Sequence, residues 1–141
     1  MKLAVREQES RTLHMEFPAQ GEHASYVRQM LKEHLAMWGW LDVIDDTLLA
    51  ANEVFVNAVE HGSSGETGTV SVEIDCETDR LRVGVTDSSN LLPALKAADA
   101  LDVGGRGLAL VEAISDKWGA DLAQDGRGKQ VWFTLSHAST H

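Results

Sequence analysis

Glu53 and Asn57 interrupt an otherwise apolar stretch, Leu48-Leu49-Ala50-Ala51-Asn52-Glu53-Val54-Phe55-Val56-Asn57-Ala58-Val59-Glu60-His61-Gly62. The stretch has no Pro and no internal Gly, and it ends on a Gly where a helix would stop. A spacing of four puts Glu53 and Asn57 one turn apart on the same helical face, with Glu60 and His61 continuing that line. A partly buried carboxylate and amide cost free energy unless something hydrogen-bonds or coordinates them. That makes the pair a candidate site. Polar residues that cap loops or face water would leave the same pattern, and this helix alone does not separate the two readings.

Two further places carry chemistry. Asp87 ends the segment Leu81-Arg82-Val83-Gly84-Val85-Thr86-Asp87 on the same parity as Leu81, Val83 and Val85, so its carboxylate points to the buried side of a strand. It either caps the following turn, a frequent role for Asp, or accepts a hydrogen bond from the exocyclic amine of a purine. Gly104-Gly105-Arg106-Gly107 opens a helix after a long irregular stretch. Glycines there let the backbone approach a ligand, and a helix start adds free N–H groups and partial positive charge, which suits phosphate oxygens. Tight turns and close packing give the same glycine pattern. It is neither a Walker loop nor a dinucleotide fingerprint.

These residues need elements to hold them. Arg11 to Phe17 alternates apolar Leu13, Met15 and Phe17 with His14 and Glu16, a half-buried strand stopped by Pro18. Glu22 to Trp38 carries Tyr26, Met30, Leu31, Leu35 and Trp38 at helical spacing, with a break at Gly39. Asp42 to His61 is the second helix, with Leu48, Ala51, Phe55 and Val59 as its core line. Val70 to Cys76 and Leu81 to Asp87 are two strands of a hairpin turning around Thr78-Asp79. Residues 88–103 read as irregular, Gly107 to Asp116 as a short helix, and Trp118 to Ala123 and Gln130 to Leu135 as two more strands. Strands with one buried face and grouped helices predict an α+β two-layer sandwich, its sheet mixed but largely antiparallel and its helices on one face. Residues 1–136 form one domain, and 137–141 are expected to be a disordered tail.

The composition narrows the function classes. The 141 residues include 22 acidic and 12 basic side chains, a formal charge of −10, which disfavours non-specific nucleic-acid or anionic-membrane binding. No apolar run reaches membrane-spanning length. The single cysteine, Cys76, allows no internal disulfide and fits a reducing, cytoplasmic setting. His61 beside Glu60 lacks the Cys or His partners a zinc site needs.

In chain order the candidate residues are Glu-x-x-x-Asn on a helix, Asp after a core strand, a loop, and Gly-x-Gly at a helix start. This resembles the Bergerat-type ATP-binding fold shared by gyrase-type, Hsp90-type, histidine-kinase and MutL-type (GHKL) ATPases. Within it the chain is similar to the small stand-alone anti-sigma-factor serine/threonine kinases of bacterial stress and sporulation switches. The likeness runs from the first strand to Leu135 and is closest in Ala51–Gly62 and Gly104–Gly119. On this likeness, neither a histidine-kinase dimerisation hairpin nor a transducer domain is expected.

The resemblance implies a role for each residue. Asn57 would give its side-chain oxygen to Mg²⁺, which holds the ATP phosphates. Glu53 would be the general base for an attacking protein hydroxyl. Asp87 would hold the adenine amine, a role that favours ATP over GTP. Residues 90–104 would form a lid, and the segment Gly104, Gly105, Arg106, Gly107 and Leu108 would bind phosphate, with the Gly105 and Gly107 amides on its oxygens. Arg106 would place a cation beside the β- or γ-phosphate, or else is a solvent-facing helix-start Arg. Two departures stand out. The first glycine box, normally Asp-x-Gly-x-Gly, reads Asp87-Ser88-Ser89-Asn90, and Gln130 stands about where the family has a Thr near adenine.

The implied function is an ATP- and Mg²⁺-dependent protein serine/threonine kinase that acts as an anti-sigma factor. Its partners would be a sigma factor, which it sequesters, and a STAS-type antagonist, which it phosphorylates. A homodimer is the expected assembly. The competing reading is a regulatory binding module that is nucleotide-gated, or nucleotide-independent, and transfers no phosphate.

Overall fold

The structure is a computed structural model, and it describes residues 6–7, 11–62, 68–88, 103–122 and 128–138. Six strands form one sheet: β1 (Arg6–Glu7), β2 (Thr12–Pro18), β3 (Thr69–Cys76), β4 (Arg80–Asp87), β5 (Lys117–Leu122) and β6 (Lys129–Ser136). Their order is β1-β2-β3-β4-β6-β5, and every pairing is antiparallel. The short strand β1 has no counterpart in the sequence reading, because two residues carry no alternation to detect.

Period-two alternation sorts the sheet into two faces. Leu13, Met15 and Phe17, then Val70, Val72 and Ile74, then Leu81, Val83 and Val85, then Val131, Phe133 and Leu135 are all buried. Against them pack α1 (Ala24–Met37), α2 (Ile44–Asn57) and α3 (Val103–Ile114), with α2 touching both other helices. Phe17 meets Phe55 edge-on across the layers, ring centroids 6.0 Å apart. The chain is therefore the expected α+β two-layer sandwich, although its described sheet is wholly antiparallel rather than mixed. The core line of α2 lies slightly off the expected one: Thr47, Ala50, Ala51, Val54 and Phe55 are buried, while Leu48 and Val59 pack at its edge. Thr47 is tolerated there because its hydroxyl donates to the Val43 carbonyl at 2.7 Å.

Helix ends follow local chemistry. After α1, Gly39 takes φ +85, a left-handed value that favours glycine and ends the helix where expected. After Asn57 the chain widens into a π-helical turn, Ala58–Gly62. The tail expectation needs correction, since its first two residues are docked. The His137 ring stacks on Trp40 at 3.8 Å, and Asp42 accepts from the Ala138 amide at 2.7 Å. Among the described residues, no helix is long and apolar enough to cross a membrane.

Candidate active site

Glu53 and Asn57 both lie half-buried on α2, one turn apart as their spacing requires. Among the described residues neither side chain has a hydrogen-bond or ionic partner, so both retain their bonding capacity. Beyond Asn57 the α-helix gives way to a π-helical turn, Ala58–Gly62, so the line expected through Glu60 and His61 enters a different repeat. Such turns occur often at functional sites, and this one packs against β4, the strand that ends in Asp87.

Asp87 faces the layer between sheet and helices, as its parity predicts, with its side chain only 1 % exposed. It is ion-paired. Lys129, directly opposite it in the β4–β6 register, places Nζ 3.1 Å from Oδ1 and 3.0 Å from Oδ2, and its own side chain is 7 % exposed. Two buried charges this close are tolerable only as a pair, because either one alone would be stranded without water. Gly128, just before Lys129, adopts φ +138, and a Cβ there would sit 2.5 Å from the Asp87 carbonyl oxygen. Glycine is required at that position on both counts.

The expectation for Gln130 is overturned. Its side chain lies on the opposite face of the sheet from Asp87, where its amide accepts from Arg82 at 2.8 Å and donates to Thr86 at 3.2 Å. Gly84 leaves the room it occupies, since a Cβ there would come within 2.8 Å of Gln130. The residue that meets Asp87 is Lys129, which the sequence reading passed over. The signal was present: Val131, Phe133 and Leu135 point inward, so residue 129 must share their face and residue 130 must not.

The second glycine box also differs from expectation. Helix α3 begins at Val103, four residues early, so Gly104 to Leu108 lie inside its first two turns. In an α-helix the N–H of residue i serves the carbonyl of i−4. The amides of Gly107 and Leu108 are therefore committed to Val103 and Gly104, and the free donors fall at the start, around Gly104 and Gly105. The Leu108 side chain is buried in the core. The side chain of Arg106 and most of the expected lid, with Ser89 and Asn90, lie outside the described residues.

These residues fit a magnesium nucleotide in part. The Asn57 oxygen is a hard ligand of the kind Mg²⁺ takes, and the α3 start supplies amide donors for phosphate. Among the described residues no three His, Cys, Asp or Glu side chains form a metal cage. A cation here would thus rely on phosphate and water oxygens besides Asn57. When bound, a magnesium nucleotide would supply the transferable phosphoryl group. The base end fits less simply, because Asp87 already has a cationic partner.

Comparison with known proteins agrees with the geometry. Residues 17–135 match the family described as the histidine kinase-like ATPase domain. An uncharacterized protein of Streptomyces coelicolor is 34% identical over 77 residues, covering 53% of this chain and 72% of that protein. Among solved structures, the histidine kinase domain of a blue-light activated histidine kinase from Erythrobacter litoralis superposes with a TM-score of 0.51 at 17% identity. That likeness covers 95% of this chain but only 65% of the other, under two thirds of its length, and it speaks to the fold alone. With the matched segment running from β2 to β6 and holding every candidate residue, the chain belongs to the histidine kinase-like ATPase domain family of the GHKL superfamily.

Proposed function

We propose that the protein is an ATP- and Mg²⁺-dependent protein serine/threonine kinase that serves as an anti-sigma factor in a bacterial partner-switching pathway. The observation that carries the reading is the pair on α2. Glu53 and Asn57 stand one turn apart, half-buried, with no protein partner among the described residues, which suits a base beside a cation ligand. In this reading Asn57 holds Mg²⁺, Glu53 takes the proton from a serine or threonine hydroxyl of a STAS-type antagonist, and a sigma factor is the sequestered partner. The protein acts in the cytoplasm as a homodimer. Incubation with γ-labelled ATP, Mg²⁺ and candidate antagonist domains tests the proposal. Label should appear on an antagonist, and Glu53→Gln should lower transfer by roughly 10²–10⁴-fold with nucleotide binding kept, the usual contribution of a positioned base. Absence of label on every antagonist, from a protein that binds Mg-ATP, would reject the kinase.

A second reading is a regulatory module that transfers no phosphate. The Lys129–Asp87 ion pair favours it, since it occupies the carboxylate that the family resemblance assigns to adenine. Retained sigma-factor binding by the Glu53→Gln variant, unchanged with and without ATP, would support this module over the kinase.

A further inference from the structure

We infer that the helix-free face of the sheet carries a second small-molecule site, one that takes a basic α-amino acid such as arginine. A cavity of about 330 Å³ opens there, at the hairpin end of β4 and β6, a volume within the range of small-ligand pockets. It is separate from the candidate active site. Arg80 and Ser136 pair at one end of the β4–β6 ladder and Asp87 and Lys129 at the other. Alternation along the strands also turns the two groups to opposite faces.

The floor of the cavity is β6. Thr134, only 5 % exposed, lines it, and its side chain has no partner among the described residues. Arg82, opposite Thr134 in the register, is drawn instead to Gln130 and the Trp132 ring. A hydroxyl so enclosed is expected to meet a partner. The strand order sets β4 and β5 on either side of this floor. On the hairpin side stands Asp79, beside the Glu77–Arg80 ion pair at 3.0 Å. On the β5 side stands Lys117, next to Asp116, whose carboxylate accepts from the Ser136 hydroxyl at 2.6 Å. The Asp116 amide donates to the Thr134 carbonyl at 2.8 Å, which fixes that wall to the floor.

Asp79 and Lys117 have no partner among the described residues, so free charges of opposite sign flank the buried hydroxyl. A carboxylate only accepts hydrogen bonds and an ammonium only donates them. A ligand that crosses β6 must therefore bring a cation to Asp79 and a carboxylate to Lys117. Three lining carboxylates against two cations leave one negative charge in excess, and the formal charge of −10 on the chain acts in the same direction. Both favour a ligand with net positive charge over a neutral zwitterion. A basic amino acid meets every term. Its carboxylate accepts from Lys117 and Thr134, its α-ammonium faces Asp116, and its side-chain cation reaches Asp79.

Nuclear magnetic resonance titration of the isotope-labelled full chain tests the site with L-arginine, with agmatine, which lacks only the carboxylate, and with L-glutamate. Arginine should give saturable amide shifts at residues 77–80, 116–117 and 134–136, and should bind at least about tenfold more tightly than agmatine. Glutamate should bind more weakly than either. Lys117→Gln should bring arginine close to the affinity of agmatine, whereas Asp79→Asn should weaken both and leave their ratio unchanged. Both positions are exposed, so the fold should tolerate either substitution. Absence of saturable shifts by about 10 mM arginine, or shifts confined to other residues, overturns the inference. So does equal binding of arginine and agmatine, or a ratio that Lys117→Gln does not move. None of these outcomes bears on the nucleotide site, which lies at the other end and on the other face of the sheet.

Discussion

The two ends of the candidate site are built on opposite terms. At the end proposed for phosphate, α2 presents Glu53 and Asn57 half-buried and without a protein partner among the described residues. At the end the resemblance assigns to the base, Asp87 and Lys129 are almost wholly enclosed and ion-paired with each other. Polar groups left open keep their bonding capacity for a ligand and contribute little to the fold. Polar groups paired inside belong to the fold first, and a ligand must compete with what holds the sheet together. The site thus has one end ready to coordinate and another whose use is coupled to stability.

Removing half of the buried pair gives the largest expected effect. Asp87→Ala strands the Lys129 ammonium at the edge of the core and should cost about 3–5 kcal/mol of unfolding free energy. Urea denaturation would measure it. The double variant Asp87→Leu with Lys129→Met should recover most of that loss, because no charge is left unpaired. A single variant as stable as wild type would mean that the pair is solvated, and the contrast between the two ends would collapse.

Gly128→Ala comes next. It adds a Cβ at 2.5 Å from the Asp87 carbonyl in a backbone with φ +138. Such strain costs on the order of 1–3 kcal/mol. Thermal unfolding should show it, together with loosening of the β4–β6 corner in amide exchange. Full retention of stability would show that the corner yields more easily than its geometry implies.

The sequence made one end of the site legible and misplaced the other, for a physical reason. Glu53 and Asn57 lie on a helix of 14 residues, where a spacing of four fixes a shared face whatever the exact boundary. Asp87 was also readable, because its strand alternates over eight residues apart from buried Gly84. Along β6 a shift of one residue exchanges the faces of the sheet, so setting Gln130 rather than Lys129 beside Asp87 put it on the wrong side. The early start of α3 escaped for another reason. Gly104, Gly105 and Gly107 are poor helix formers, and local propensity argues for a loop there. The widening after Asn57 has no sequence signature comparable to a proline or a cap, so the change to a π-helical repeat over Ala58–Gly62 was not legible.

An exposed carboxylate contact provides the contrast to the buried ion pair. Asp42 accepts from the Ala138 amide at 2.7 Å and meets His137 Nδ1 at 3.1 Å, tying the C-terminal end to Trp40. The Ala138 N–H above all, with His137, holds the Asp42 carboxyl below its ordinary value of 3.8. A carboxyl depressed by folding adds stability above its unfolded value and loses it as pH falls through the folded one. The clamp should therefore hold at neutral pH and release only in strong acid, below pH 3.8. Asp42→Asn should cost less than about 1 kcal/mol, as exposed pairs do. It should still abolish slow exchange of the Ala138 amide. A loss as large as that of Asp87→Ala would show that exposure does not separate the two pairs.

The smallest expected effect on the fold belongs to Asn57→Ala. The residue closes the last turn of α2, half-buried, with no described side-chain partner to lose. Alanine is also the better helix former by a few tenths of a kcal/mol. Unfolding free energy should therefore stay within about 0.5 kcal/mol of wild type. Binding should respond quite differently, since removing the one hard side-chain oxygen proposed for the cation leaves Mg²⁺ to phosphate and water. Affinity for a nucleoside diphosphate should fall in the presence of Mg²⁺ and change little in its absence. Glu53→Ala, one turn away, should leave both affinities nearly intact, because a base acts on the nucleophile and not on the bound nucleotide. Asn57→Ala would break the comparison if it unfolded the protein, since the open end would then be structural too. If both α2 variants lost binding equally with and without Mg²⁺, Asn57 would not be a cation ligand, and the division of labour on that helix would have to be redrawn.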